Sequence, residues 1–372
     1  MTARGPIVLA AGGTGGHVFP AQALAEVLSA RGWRIALLTD TRGTAFGDQI
    51  GGLESYRIKA ARIGGGAWSK LKGLTQLGLG FFQARGILRR LAPSAAVGFG
   101  GYPSVPTMWA ATGARIPTLL HEQNAVLGRA NRLLASRVDR IATSFDSAIV
   151  VSRKERGKAL LTGNPVRAAI REIANAPYPS RKTGDQTLSL LIFGGSQGAR
   201  ILSDVVPAAI AILPESARKK LQIVQQCRGE DLERVRRVYS SAGIKADLAP
   251  FFDDMPRRLA AAHLVIARAG ASTIAEITVA GRPIILVPYK HAMDDHQTAN
   301  ARAIDATGGG WLMAEDAFTE ATLAAKLKIL LTDLELLPTA AARARDAGWP
   351  DAAERLADAT EALATSPQGM TP

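Results

Sequence analysis

Short continuous apolar runs alternate with helical patterns along most of the chain. Ile7–Ala11 is followed by a helical stretch from about Ala21 to Arg31, then by apolar runs at Arg34–Thr39, Ala95–Gly98 and Thr118–His121. Unbroken apolar runs ended by glycine read as strands buried on both faces, and such strands separated by helices predict a parallel α/β sheet. The pattern starts afresh at Leu188–Phe193, with a helix from about Ile201 to Leu213 and runs at Leu221–Gln225, Leu264–Ala267 and Ile284–Val287. Between the two series lie Thr162-Gly163-Asn164-Pro165-Val166-Arg167 and Pro177-Tyr178-Pro179, extending through Gly184-Asp185. Helices do not run through Pro/Gly-rich sequence, so a boundary belongs between about 160 and 187. Pro350 to Ala359 reads as a closing helix and Ser366 to Pro372 as a frayed tail.

Composition narrows the class. The chain has 372 residues, 47% of them apolar, enough for two domains with ordinary cores. Cys227 is the single cysteine, which excludes an internal disulfide, and the five histidines show no zinc spacing, so a reducing cytoplasm is the expected compartment. The run at Ile7–Ala11 is too short for a signal peptide, and no stretch approaches the roughly 20 apolar residues of a spanning helix. A soluble or peripheral protein is expected.

The net charge of +13 is unevenly placed. Residues 1–163 hold 21 Lys/Arg against 8 Asp/Glu, whereas residues 164–372 hold 24 of each. From Ser55 to His121 there is no acidic residue, but Arg57, Lys59, Arg62, Lys70, Lys72, Arg85, Arg89, Arg90 and Arg115 are present. Such a field attracts an anionic partner. Within it, Leu71, Leu74, Gly78, Phe81 and Phe82 fall at helical spacing, with Trp68 at one end and basic residues around them. That pattern fits an interfacial helix over anionic lipid, each basic residue adding roughly 1 kcal/mol near the surface; it also fits an ordinary helix facing a core. With few aromatics and no recognised motif, nucleic acid is not the expected partner.

Each half opens with a strand, a glycine loop and a helix: Gly12-Gly13-Thr14-Gly15-Gly16-His17 in the first, Gly194-Gly195-Ser196-Gln197-Gly198-Ala199 in the second. Glycine admits close backbone approach, and the free N–H groups and dipole of a helix N-terminus favour an anion. Neither loop has the Gly-Lys-Ser/Thr ending of a P-loop nor clean Gly-x-Gly-x-x-Gly spacing, although Asp40, after the second strand, imitates a ribose ligand. A third cluster, Arg268-Ala269-Gly270-Ala271-Ser272-Thr273-Ile274-Ala275-Glu276, follows another strand. Its Glu276 suits a pair of sugar hydroxyls, or else closes a capping box with Ser272 or Thr273. Candidate bases are His17 and the pair His121-Glu122, all near strand ends where a ligand would sit. No Ser–His–Asp set or His-Glu-x-x-His motif supports a hydrolase.

These residues resemble the MurG family of peptidoglycan glycosyltransferases. The resemblance runs through Gly12-Gly13-Thr14-Gly15-Gly16-His17-Val18-Phe19-Pro20, Gly100-Gly101-Tyr102-x-Ser104, His121-Glu122-Gln123-Asn124, Gly163 to Arg167, Gly194 to Ala199 and Arg268 to Glu276, in the family's order. It implies a GT-B glycosyltransferase, two Rossmann-like domains whose parallel sheets face an interdomain cleft. On that reading residues 1–165 bind acceptor and membrane, 166–348 bind the UDP-sugar, and 349–372 form a helix and tail returning to the first domain. The substrates implied are UDP-N-acetylglucosamine and the undecaprenyl-diphospho-muramoylpentapeptide lipid I, with no cofactor and no metal, in keeping with the lack of an Asp-x-Asp motif.

The resemblance further implies roles. Thr14, Gly15 and Gly16 meet the donor from the acceptor side, Asn124 contacts its sugar, and Arg167 and Ser196 lie on the nucleotide surface. Phe252 corresponds to the backbone contact with uracil, Ala271, Ser272 and Thr273 approach the diphosphate, Glu276 takes the ribose hydroxyls, and Gln297 reaches the sugar. His17 is the expected base, with His121 and Glu122 as alternatives. The basic and apolar segment 68–90 would dock on the anionic cytoplasmic face of the inner membrane. Ala269 and the acidic Asp294-Asp295 depart from the family's pattern and bear on the finer donor contacts. Another GT-B enzyme of UDP-N-acetylglucosamine, such as a 2-epimerase or a lipid glycosyltransferase, is the alternative within the fold. A non-catalytic binder of anionic lipid or sugar nucleotide is the alternative outside catalysis.

Overall fold

A computed structural model describes residues 5–12, 15–40, 53–60, 67–146, 150–179, 187–195 and 198–366, with the backbone alone for 67–72. The chain forms two compact units, Met1–Arg167 with Asp351–Pro372, and Ala168–Pro350.

The first unit is built on strands β1 (Ile7–Ala10), β2 (Ile35–Thr39), β3 (Glu54–Arg57), β4 (Ala95–Gly98), β5 (Thr118–Glu122), β6 (Arg140–Thr143) and β7 (Ala159–Leu161). They pair in parallel in the order β3-β2-β1-β4-β5-β6-β7. β1, β2, β4 and β5 are buried at every position, β1, β2 and β4 through mainly apolar sequences and β5 with Thr118, His121 and Glu122 held by hydrogen bonds, and two cores cover the two faces. The edge strand β3 is the polar Glu54-Ser55-Tyr56-Arg57, mostly exposed and without the apolar run that marks a central strand.

The first helix spans Gly15–Ala30, starting well before the Ala21 expected from the apolar pattern. Pro20 thus stands inside it, in the second turn, where it removes one intrahelical donor, and His17 becomes a first-turn residue rather than part of the loop. On this helix packs Ala352–Thr365, which buries Ala353, Leu356 and Ala357 in the same core; Arg31 bridges to Asp358 and Glu361 at 2.7 and 2.6 Å.

Helix Ala67–Leu91 sorts its residues differently from the expected single stripe. Gly80, Ala84 and Leu88 face the core, and Gly80 is needed there, because a Cβ would lie 1.9 Å from the carbonyl oxygen of Lys59. Phe81 is only half-buried and leans on that core, whereas Leu74 (56% exposed), Leu79 (50%) and Phe82 (70%) point outward. The helix therefore has both a core face and an apolar outer face.

The second unit repeats the plan with β8 (Leu188–Phe193), β9 (Leu221–Gln226), β10 (Ala246–Ala249), β11 (Leu264–Ala267), β12 (Ile284–Leu286) and β13 (Gly310–Leu312), all parallel, in the order β10-β9-β8-β11-β12-β13. Both orders reverse direction once, between β1 and β4 and between β8 and β11. Ligands of open α/β sheets sit at such switch points, beyond the strands' C-terminal ends.

Candidate active site

At the first switch point β1 and β4 end level, Ala10 beside Gly98, so Gly12 and the Phe99-Gly100-Gly101 segment leave the sheet together. Gly100 and Gly101 both have left-handed backbones, φ 83° and 73°. A Cβ at Gly100 would come within 3.4 Å of His17 Cε1, and one at Gly101 within 3.4 Å of His17 Cδ2. These atoms flank Nε2, so the glycines keep that edge of the imidazole uncrowded. Ser104 Oγ donates to the Gly101 carbonyl at 2.9 Å and fixes the turn.

β5 delivers the second set. His121 is fully buried: its Nε2 lies 3.1 Å from the Gly163 carbonyl and its Nδ1 3.0 Å from Gln123 Nε2. Burial, opposed by the Gly163 bond and aided by the neighbouring His17, lowers its pKa to about 4, so it is neutral at neutral pH. Glu122 Oε1 accepts from Asn124 N (3.0 Å) and Asn124 Nδ2 (3.2 Å), and Oε2 from Gly128 N (2.8 Å) and Asn131 Nδ2 (2.8 Å). With four donors on it and 2% exposure, this carboxylate is a clamp on the loop that carries Asn124. Of the three candidate bases, the geometry thus internalises His121 and Glu122 and leaves His17 half-exposed, its Nδ1 3.1 Å from Gln123 Oε1. Gln123 was legible in the sequence only as part of the His121 to Asn124 motif. Arg167 lies over the ring of Phe19, two residues along the same helix, 5.2 Å from its centroid.

At the second switch point β8 and β11 end level, Phe193 beside Ala267. The helix after β11 begins at Ala271 with Gly270 as N-cap and no side-chain cap bond. The capping-box alternative for Glu276 is therefore not realised: Ser272 and Thr273 are inside the first turn and Glu276 is buried in the second. Ser272 Oγ is buried at this N-terminus without a hydrogen-bond partner. Gln297 accepts from the Tyr289 N–H at 2.9 Å, which holds the loop after β12. Asp294 and Asp295, just before the helix His296–Thr307, adopt φ 53° and 51°, conformations tolerated by Asp and concentrated at functional turns. Phe252 is buried with the Arg258 guanidinium 3.9 Å from its ring centroid, while Phe251 is exposed; the Phe252 side chain anchors the backbone at that position.

Three further residues, Arg268, Glu315 and Asn300, tie these loops together through contacts that no local spacing announces. Arg268 donates to the carbonyls of Val287 (3.2 Å) and Pro288 (3.1 Å) and pairs with Glu315 at 2.6 Å. Asn300 Nδ2 donates to Ala269 O at 3.0 Å. Long-range pairs between loops leave no local spacing to read. Thr14 and Ser196 lie outside the described residues, as do the side chains of Trp68, Lys70, Leu71 and Lys72.

The glycosyltransferase family 28 N-terminal domain model matches residues 7–143, and the C-terminal domain model of the same family matches residues 189–356. The chain belongs to glycosyltransferase family 28. Within this family, it is 57% identical over 371 residues to a Paramagnetospirillum magneticum protein named UDP-N-acetylglucosamine--N-acetylmuramyl-(pentapeptide) pyrophosphoryl-undecaprenol N-acetylglucosamine transferase, covering 99% of this chain and 100% of that one. A Rhodospirillum centenum protein of the same name is 55% identical over 354 residues, covering 95% and 93%. Among solved structures, MurG of Acinetobacter baumannii aligns with a TM-score of 0.79 at 29% identity, covering 96% of this chain and 99% of that one. The two parallel-sheet units are those of a GT-B family 28 glycosyltransferase. A UDP-GlcNAc 2-epimerase from Neisseria meningitidis, at TM-score 0.65 and 13% identity, shares the fold alone.

Proposed function

We propose that this chain transfers N-acetylglucosamine from UDP-N-acetylglucosamine to undecaprenyl-diphospho-muramoylpentapeptide, converting lipid I to lipid II in peptidoglycan synthesis. The observation that carries this is 57% identity, along the full length, to a transferase of that name. The loop chemistry at the two switch points agrees with it.

In this reading the second unit holds the donor. Glu276 takes the ribose hydroxyls, the backbone at Phe252 meets uracil, Ala271 to Thr273 receive the diphosphate, and Gln297 reaches the sugar; Ser196 and Arg167 border the nucleotide. The unpartnered Ser272 Oγ at a helix N-terminus supports the diphosphate placement. Thr14, Gly15, Gly16 and Asn124 of the first unit complete the donor contacts. The acceptor's C4 hydroxyl attacks C1 of the donor as the C1–O bond to UDP breaks. UDP departs with that electron pair, the anomeric centre inverts, and the hydroxyl proton passes to His17 Nε2. Helix N-terminal and glycine-loop N–H groups meet the charge that develops on the diphosphate, so this step needs no metal.

The acceptor is a lipid, and the outer face of helix Ala67–Leu91 supports docking at the cytoplasmic surface of the inner membrane: Leu74, Leu79 and Phe82 are exposed beside exposed Arg85, Arg89 and Arg90. Among the described residues no helix is long and apolar enough to cross a membrane.

A His17→Ala variant tests the assignment. It is expected to bind UDP-N-acetylglucosamine with unchanged affinity in calorimetry and to lose transfer by about 100-fold or more. Unchanged transfer would remove His17 from the chemistry, and a wild-type chain that binds the donor but transfers nothing would make the protein a binder.

A further inference from the structure

We infer that Gln123 is a positioning residue that fixes the tautomer of His17, holding the proton on Nδ1 so that the lone pair stands on Nε2; the catalytic half of this inference rests on the base role proposed above. The hydrogen-bond network is anchored at its buried end. His121 Nε2 sits 3.1 Å from the Gly163 carbonyl, an atom that can only accept, so the His121 proton is on Nε2 and its Nδ1 is an acceptor. Around Gln123 Nε2 are three acceptors: Phe99 O at 3.0 Å, His121 O at 3.1 Å and His121 Nδ1 at 3.0 Å. An amide nitrogen satisfies such a set and an amide oxygen cannot, which fixes the amide's orientation and turns Oε1 toward His17. Gln123 Oε1 then accepts from His17 Nδ1 at 3.1 Å, so Nδ1 carries the proton.

The consequence for His17 is directional. Nε2 is left as the basic nitrogen, on the ring edge that Gly100 and Gly101 keep free of side chains. The opposite tautomer would set the unprotonated Nδ1 against Gln123 Oε1, acceptor against acceptor, and present a donor, not an acceptor, to an incoming hydroxyl. A neutral amide serves here in place of a carboxylate: it orients the ring and selects the tautomer without adding a charge to a core that already holds the Glu122 carboxylate.

The test uses the full-length protein labelled with [15N]histidine. Long-range 15N–1H correlations on the wild type are expected to show His17 with Nδ1 protonated and His121 with Nε2 protonated. In Gln123→Leu, His17 is expected to lose its preference for Nδ1–H, with kcat down roughly 30- to 100-fold and the KM for UDP-N-acetylglucosamine within about twofold. Gln123→Glu keeps an acceptor oxygen against Nδ1 when its second oxygen holds a proton to donate where the amide nitrogen did, and in that form it is expected to keep the Nδ1–H tautomer and to retain more of kcat than Leu. A wild-type His17 protonated on Nε2 would overturn the inference, whether or not the variants fold, and so would a Leu variant with kcat within threefold of wild type. If His17→Ala alone retains transfer while the tautomers are as expected, the base role fails and the positioning of the ring by Gln123 stands.

Discussion

Replacing Glu122 by Gln separates a structural carboxylate from a chemical one. In the native protein its two oxygens receive four N–H donors, from Asn124 N, Asn124 Nδ2, Gly128 N and Asn131 Nδ2, at 2.8 to 3.2 Å. An amide in the same volume keeps one oxygen and turns an NH2 group on two of those donors, and the side chain is 2% exposed, so water cannot compensate. Hydrogen bonds to a charged acceptor contribute about 1.5–3 kcal/mol each, so loss of two predicts a destabilisation of about 3–6 kcal/mol. That is a large part of the roughly 5–15 kcal/mol typical of a domain. Urea unfolding followed by fluorescence reads it as a fall in the midpoint of roughly 1–3 M at unchanged slope. Activity measured well below the new midpoint should fall less than in His17→Ala, because the loop bearing Asn124 is loosened but no reacting group is removed. A Gln variant as stable as wild type within 1 kcal/mol, yet inactive, would refute the clamp and make Glu122 the base.

His121 has a folded pKa of about 4, below the ordinary 6.5, so between these values the unfolded chain binds the extra proton and stability drops as pH falls from 6.5 toward 4. The loss is about 2 kcal/mol by pH 5, and His121→Gln should remove that slope in urea titrations at pH 7 and 5. Buried Arg282 donates to the carbonyls of Leu259, Ala260, Gly281 and Pro177 at 2.7 to 3.2 Å, so Arg282→Met should cost about 3–5 kcal/mol in thermal or urea unfolding of the second unit. Replacing Leu74, Leu79 and Phe82 together by Ser removes about 3 kcal/mol of apolar transfer, roughly 100-fold in retention on anionic liposomes measured by sedimentation, with donor binding unchanged.

The central strands were legible because strands buried on both faces are rich in apolar residues, and the turn after β8 because it demands glycine, Gly195 and Gly198 having φ 80° and 69°; of the first glycine loop, Gly15, Gly16 and His17 belong to the helix instead. β3 was not legible, since a mostly exposed edge strand with one half-buried residue, Tyr56, carries no such demand. The face of helix Ala67–Leu91 was half legible: period alone grouped Phe81 with Phe82, but only packing of Gly80 against Lys59 O decides which of them turns inward. In the site, the types and spacing of His17, His121 and Glu122 were visible, but burial and partners, which make one a candidate base and two internal, come from long-range contacts. Gln123 and Arg268 stood in legible motifs, but the contacts through which they, Asn131 and Asn300 act lie mostly far along the chain, and their sequence neighbourhoods do not show them.

The most direct measurement is transfer of radiolabelled N-acetylglucosamine from its UDP donor to a short-chain lipid I analogue, with EDTA present, UDP release followed in parallel and the linkage of the product determined. The account requires a β-1,4-linked disaccharide formed in step with UDP, undiminished by EDTA. UDP release without that product, or no turnover with a donor that binds, would contradict it.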